Sequence, residues 1–164
     1  MQNTAQRASA DFETFYKTHF KQVYRLCFSY LRNEADAEDI TADVFVKVLK
    51  GDITFKDADH EKKWLTVAAI NACKSLLRTK WKRNVGSIDD LPEIAAADGD
   101  PDSELREAIL NLPVKYREVI TLYYYEGYGT DEIAKMLKRP AATVRWQLTE
   151  ARKKLKNILG GNEL

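Results

Sequence analysis

The sequence predicts an all-α protein built as two small helical domains joined by an acidic, flexible linker. Three observations carry this. Apolar residues recur at helical spacing through most of the 164-residue chain, and no alternating, strand-like stretch interrupts them. Proline and glycine, four and seven in all, are sparse inside those periodic stretches. Charge is segregated although the formal net is only +1. Residues 1–84 hold 15 Lys+Arg against 11 Asp+Glu, residues 85–104 hold none against seven, and residues 105–164 hold 11 against seven. Two basic lobes flank an acidic connector, a pattern that the overall balance conceals.

In the first domain, 1–84, the apolar stripe of Phe12, Phe15, Tyr16, Phe20, Val23, Tyr24, Cys27, Tyr30 and Leu31 is expected to run across two abutting helices. Asn33 opens a break. Ala37, Ile40, Val44, Phe45, Val48 and Leu49 form the next stripe, which Gly51 ends as a residue tolerant of positive φ. The first half of that helix carries Asp36, Glu38, Asp39 and Asp43 beside Thr41 and Ala42, both expected to be exposed. Some of this is ordinary charge at a helix N-terminus. An acidic face on a basic lobe nonetheless suits a basic protein partner better than DNA.

After a polar loop, a third helix is predicted from His60 to about Lys82. It begins apolar, with Trp64, Leu65, Val67, Ala68 and Ala69. From Asn71 one face carries Asn71, Lys74, Ser75 and Arg78, followed by Lys80, Trp81, Lys82 and Arg83. Between Lys62 and Arg83 there are seven basic residues and no acidic one. A basic, amide-bearing face beside an aromatic can hold a nucleic-acid backbone and receive an unstacked base. Charge suited to a helix end accounts for Lys80 to Arg83 but not for Asn71.

Residues 85–104, VGSIDDLPEIAAADGDPDSE, break any period with acids, glycine and proline, and read as the linker. The second domain, 105–164, opens with a short helix near Leu105–Leu110. Leu112-Pro113 starts another through about Tyr125, with Pro113 at its first helical position. Gly127 and Gly129 close it, and Thr130 is the expected N-cap of the next, with Asp131 and Glu132 in the favourable first turn. Tyr123, Tyr124 and Tyr125 could stack bases, but at least part of the tripeptide is expected to be core packing.

From Thr130 the chain reads TDEIAKMLK, then Arg139-Pro140, then AATVRWQLTEARKKLKNIL. Ile133, Ala134 and Leu137 line one helix, and Val144, Leu148, Ala151, Leu155 and Ile158 the other. Pro140 keeps them apart, because its ring clashes with the preceding turn. Two amphipathic helices around a tight break make a helix-turn-helix, the first supporting the second in a major groove. The candidate DNA-facing set is Thr143, Arg145, Trp146, Gln147, Thr149, Arg152 and Lys153. Arg145, near the start, has a fork that can grip a guanine bidentately, whereas Arg152 suits phosphate.

Other chemistry finds little support. Cys27, Cys73, His19 and His60 lack ligand-like spacing, so neither a metal nor a cofactor is expected. No nucleophile–base pair or phosphate-cradling glycine loop suggests an enzyme. No apolar run approaches a membrane span and no signal-peptide core is seen, so a cytoplasmic protein without membrane insertion is expected.

The stretches DAEDITADVFVKVL, WLTVAAINACKSLLR and LPVKYREVITLYYYEGYGTDEIAKMLKRPAATVR, in this order, resemble the extracytoplasmic-function (ECF) sigma factors of bacterial RNA polymerase. The likeness covers about residues 11–50 and 60–83 for the σ2 domain and 105–157 for the σ4 domain. It implies a factor that binds core RNA polymerase and directs promoter-specific initiation. Asp36, Asp39 and Asp43 would lie on the helix that docks on the β′ clamp helices. Asn71, Lys74, Arg78, Lys80, Lys82 and Arg83 would lie where the −10 element is recognised and a base of the melted strand is held. The second helix of the helix-turn-helix would read double-stranded −35 DNA. The β subunit belongs to the same core partner, and many members of the family are held inactive by an anti-sigma protein. Departures from the family pattern are Ala42 for a common Gln, Ser75 for a frequent Asp, and Lys138 and Ala142 for glycines. Trp146, Gln147 and Glu150 stand where small or basic residues are usual. The competing reading is a helix-turn-helix regulator acting without polymerase, which leaves the Asn71 face and the acidic helix unexplained.

Overall fold

The computed structural model describes residues 4–51, 53–83 and 102–160; for 4–10 only the backbone is described. The expected linker, 85–104, lies outside the described residues except at its end. Seven helices follow one another, and no strand occurs among the described residues. The chain divides into two compact units, Met1–Arg78 and Thr79–Leu164.

In the first unit, α1 (Thr4–Leu31) is one uninterrupted helix of 28 residues, not two abutting ones. No proline or glycine lies within it to break the ladder. Arg32 turns the chain with φ 57°, and Asn33 caps α2 (Glu34–Lys50), its side-chain oxygen accepting from the Asp36 amide at 2.9 Å. Gly51 ends α2 for a reason other than the one expected. Its φ is −91°, an ordinary extended value. A Cβ there would sit 3.0 Å from the Lys47 carbonyl and 3.2 Å from Ile53, so glycine suits a tight approach that a side chain would crowd. The third helix, α3, spans Ala58–Arg83. Val23, Leu26, Cys27 and Tyr30 of α1 are buried, as are Ala37, Val44 and Phe45 of α2 and Leu65, Ala69, Ile70, Cys73 and Leu77 of α3. Each full burial of such a side chain contributes about 1.5–3 kcal/mol.

The second unit contains α4 (Ser103–Leu110), whose first two residues fall within the expected linker, and α5 (Val114–Ile120), which Pro113 precedes as N-cap. The helix then widens into a π-helical turn over Thr121–Tyr125, where the Glu126 amide bonds the Thr121 carbonyl at 3.1 Å. Gly127, at φ 77°, makes the exit that a side chain would strain. Helix α6 is Thr130–Leu137, so the N-cap is Gly129 and not Thr130. The Gly129 amide donates to Glu132 Oε1 at 3.3 Å, which is the glutamate half of a capping box. Helix α7 is Ala141–Ile158, with Pro140 as N-cap. Ile109, Leu112, Val119, Ile120, Leu122, Ile133, Leu137, Val144, Leu148, Ala151 and Leu155 form the core of this unit.

The π-helical turn overturns one expectation. Leu122 is fully buried, but Tyr123 is only half-buried and Tyr124 is 53% and Tyr125 40% exposed, so none of the three tyrosines belongs to the core. Adding a residue to the turn shifts the phase of the side chains that follow. Two further expectations fail on α2: Thr41 is buried, its hydroxyl donating to the Ala37 carbonyl at 2.6 Å, and Leu49 is 61% exposed.

Candidate nucleic-acid interfaces and the acidic helix

Helix α3 is held by one face and displays the other. Leu65, Thr66, Ala69, Ile70, Cys73 and Leu77 are buried. Asn71, Ser75 and Arg78 are exposed on the far side, at i, i+4 and i+7, while Lys74 and Lys80 are half-buried at its flank. Trp81 is 53% exposed, with Lys82 and Arg83 exposed beside it. The amide, the cations and an open indole therefore share one stretch of helix. Below them, Cys27 and Cys73 are both free thiols and fully buried. A hydrogen bond with Cys27 and then burial push the Cys73 thiol up, so it remains protonated packing. Among the described residues no group of three or more His, Cys, Asp or Glu is arranged to hold a metal.

Helix α2 presents Asp39 and Asp43 fully outward, one turn apart, and Asp36 half-buried near its capped end. Beside them runs an open apolar groove of about 540 Å³, which the sequence reading missed. Its α1 wall is a ladder of rings, Phe12, Tyr16, Phe20 and Tyr24; its α2 wall is Ala42, Phe45, Val46 and Leu49, with Glu38 at the edge. Tyr16 meets Phe45 edge-on with ring centroids 4.9 Å apart, and Phe20 stacks on Tyr24 at 6.0 Å. Burial, then the Glu34 and Glu38 carboxylates, raise the Tyr24 phenol above its ordinary value. The i, i+4 spacing of four aromatics on α1 was the available signal.

In the helix-turn-helix, Lys138 takes φ 57° and ψ 49°, the left-handed conformation at the end of α6. Its position is the one where the family commonly has glycine, and the geometry explains why. Arg139 follows and spans three elements. It forms an ion pair with Glu118 of α5, whose side chain is 1% exposed, and Nη1 donates to Gln147 Oε1 of α7 at 3.0 Å. This network sets how the turn presents α7.

The expected DNA-facing residues separate accordingly. Arg145, Trp146, Thr149 and Lys153 are exposed, and Thr143 is half-buried. Gln147 is only 6% exposed and engaged with Arg139, so it faces protein, contrary to expectation. It lies three residues after Val144 and four before Ala151, a spacing that already marks the buried side. Arg152 is half-buried. Its Nε donates to the Tyr124 hydroxyl at 2.7 Å, and its guanidinium lies 5.7 and 5.5 Å from the Tyr123 and Tyr124 ring centres. The tyrosines exposed by the π-helical turn therefore take up the arginine expected on phosphate. Glu150 is paired with Lys153 at 3.4 Å.

A helix-turn-helix with an exposed basic recognition helix defines the class as an all-helical DNA-binding transcription protein. Comparison with known proteins then makes the family specific. The sigma-70 region 2 family matches residues 15–83, and the sigma-70 region 4 family matches residues 102–155. RNA polymerase sigma factor SigV of Bacillus subtilis is 28% identical over 148 residues, covering 89% of this chain and 89% of its own. ECF RNA polymerase sigma factor SigM of Mycobacterium tuberculosis is 25% identical over 151 residues, covering 91% of this chain and 77% of its own. The fold is also that of sigma factor RpoE, solved in complex with the anti-sigma factor NepR from Bartonella quintana. That match has a TM-score of 0.75 at 21% identity, over 93% of this chain and 99% of that one. CnrH, solved with the cytosolic domain of CnrY, matches with a TM-score of 0.59 at 21% identity, over 97% and 96%. The chain belongs to the ECF group of RNA polymerase sigma factors.

Proposed function

We propose that this protein docks on core RNA polymerase through α2, captures the melted −10 element on α3 and reads duplex −35 DNA with α7. The proposal assigns residues 1–84 to docking, −10 recognition and melting, 85–104 to an acidic connector, and 105–164 to −35 recognition. One observation carries it: a single chain exposes an acidic helix, with Asp39 and Asp43 outward beside an apolar groove, and two basic helices. A regulator that touched DNA alone has no use for the first.

The roles follow from the chemistry of each face. Two carboxylates one turn apart can pair with a basic helical surface while the groove accepts apolar side chains from the same partner. On α3, Asn71 can hydrogen-bond a base edge and Trp81 can stack on an unpaired base. Arg78, Lys82 and Arg83 attract phosphate. Holding a flipped base offsets part of the cost of unpairing it. Contacts at two separated promoter elements reinforce one another through tethering, so neither needs high affinity alone. Bond-making chemistry belongs to the polymerase, and the factor acts in the cytoplasm. No helix among the described residues is long and apolar enough to cross a membrane. The anti-sigma factor bound to RpoE in the solved complex suggests the same class of partner here.

The docking assignment is tested with Asp39→Lys/Asp43→Lys. Charge reversal at exposed sites costs little stability, but it sets like charges against a basic surface and should weaken core binding by about ten-fold or more. Competition against the parent for core polymerase measures this. A double variant that competes equally well removes α2 from the interface.

A further inference from the structure

Trp146 occupies the middle of the outward face of α7, and we infer that it reads the 5-methyl group of a thymine in the upstream element. This rests on the −35 role proposed above for α7 and names the chemical group it distinguishes.

The placement comes first. Val144, Gln147, Leu148, Ala151 and Leu155 are the buried side of α7. At about 100° per residue, the side opposite carries Ala142, Trp146, Thr149 and Lys153, all exposed. Arg145 lies at the α6 flank, its Nη1 4.0 Å from Asp131 Oδ1, and Arg152 is drawn toward Tyr124. Carbon-rich side chains, not the arginines, therefore hold the centre of the face.

Trp146 is 54% exposed, yet it is not loose. Its ring lies 6.4 Å from that of Tyr116 on α5, tilted by 52°, and Tyr116 is itself 7% exposed. Lys115 and Lys154 place their ammonium groups 5.1 and 5.3 Å from the same Tyr116 ring. An indole braced in this way loses less freedom on binding than a solvated one. The cations around it draw the helix toward phosphate.

The chemistry then narrows the ligand. Indole has one donor and no acceptor, so it cannot make the paired hydrogen bonds by which guanine or adenine is read. It offers apolar surface. In the major groove the only apolar group on a base edge is the thymine 5-methyl. Ala142 and Thr149 flank Trp146 with small side chains. The Thr149 hydroxyl is already donating to the Arg145 carbonyl at 3.1 Å. Burial of one methyl against the indole corresponds to about a four-fold preference for thymine over uracil.

The test uses the full chain bound to core polymerase. An upstream element is selected from a randomised duplex library, and each of its thymines is replaced in turn by deoxyuridine, which removes the methyl alone. At one thymine or two, the replacement should weaken binding about four-fold. Trp146→Ala should bind the two duplexes equally at that position, and Trp146→Phe should keep part of the difference. The melting curve of Trp146→Ala should follow the parent's, and Trp146→Phe serves as the second variant if it does not. Discrimination unchanged in Trp146→Ala, or a selected element indifferent to every thymine methyl, overturns the inference and leaves −35 recognition standing. A library that yields no upstream preference overturns both.

Discussion

Replacing Arg139 by methionine removes the cation from a network whose other members are almost wholly shielded. Glu118 has 1% of its side chain exposed and Gln147 is 6% exposed, while Arg139 retains 21% side-chain exposure. Breaking a buried pair by deleting one partner typically costs about 3–5 kcal/mol, because the remaining charge is stranded. The partial exposure of Arg139 places the expectation near 3 kcal/mol, at the lower end of that range. Loss of the bond to Gln147 Oε1 acts in the same direction. A helical unit of this size has a total stability of roughly 3–9 kcal/mol, so the variant should be marginal near room temperature. Urea unfolding followed by fluorine NMR of 5-fluorotryptophan measures it locally, since Trp146 is in the second unit and Trp64 in the first. The Trp146 signal should lose cooperative stability while that of Trp64 holds. Glu118→Met/Arg139→Met should recover most of the loss, because an apolar pair replaces a buried ionic one at little cost. Arg139→Met within about 0.5 kcal/mol of the parent, the size of an ordinary surface change, would refute the argument that this network holds the turn against α7.

Other outcomes follow from the same geometry. Lys138→Gly should stabilise the second unit by about 0.5–1 kcal/mol, since it relieves a left-handed lysine but adds chain entropy when unfolded; no gain in thermal unfolding would mean that Lys138 is not strained. Asn71→Ala should change base preference at one −10 position in permanganate footprints of open complexes. Lys80→Ala should weaken binding across sequences and lower its salt dependence; identical profiles for Asn71→Ala and the parent would remove Asn71 from the base pocket. Arg145→Ala should cost about 1–3 kcal/mol at one −35 position in selection from randomised duplexes. Arg152→Ala should leave −35 preference unaltered, because its guanidinium is occupied by Tyr123 and Tyr124. A shifted preference in Arg152→Ala would return that residue to the DNA surface.

Local signals marked some of the points where the chain starts, stops or turns. Asn33 caps α2 with its own side chain, and Pro140 separates α6 from α7 because it lacks the amide that a continuous helix needs. Those signals and the helical period of the apolar residues determined an all-helical chain ending in a helix-turn-helix. They also marked the outward positions of Asn71, Asp39 and Asp43. Tertiary packing decided the margins of each stripe. Gln147 and Thr41 are polar, and only their bonds to Arg139 and the Ala37 carbonyl make burial tolerable. Leu49 is apolar but no neighbour among the described residues covers it, and so it borders a groove. The π-helical turn turns Tyr124 and Tyr125 outward, and Arg152 bonds the Tyr124 hydroxyl. Composition and spacing specify which residues favour a helix, because helix formation is local. Which side of that helix meets water depends on residues distant in the chain, and only their packing supplies that information.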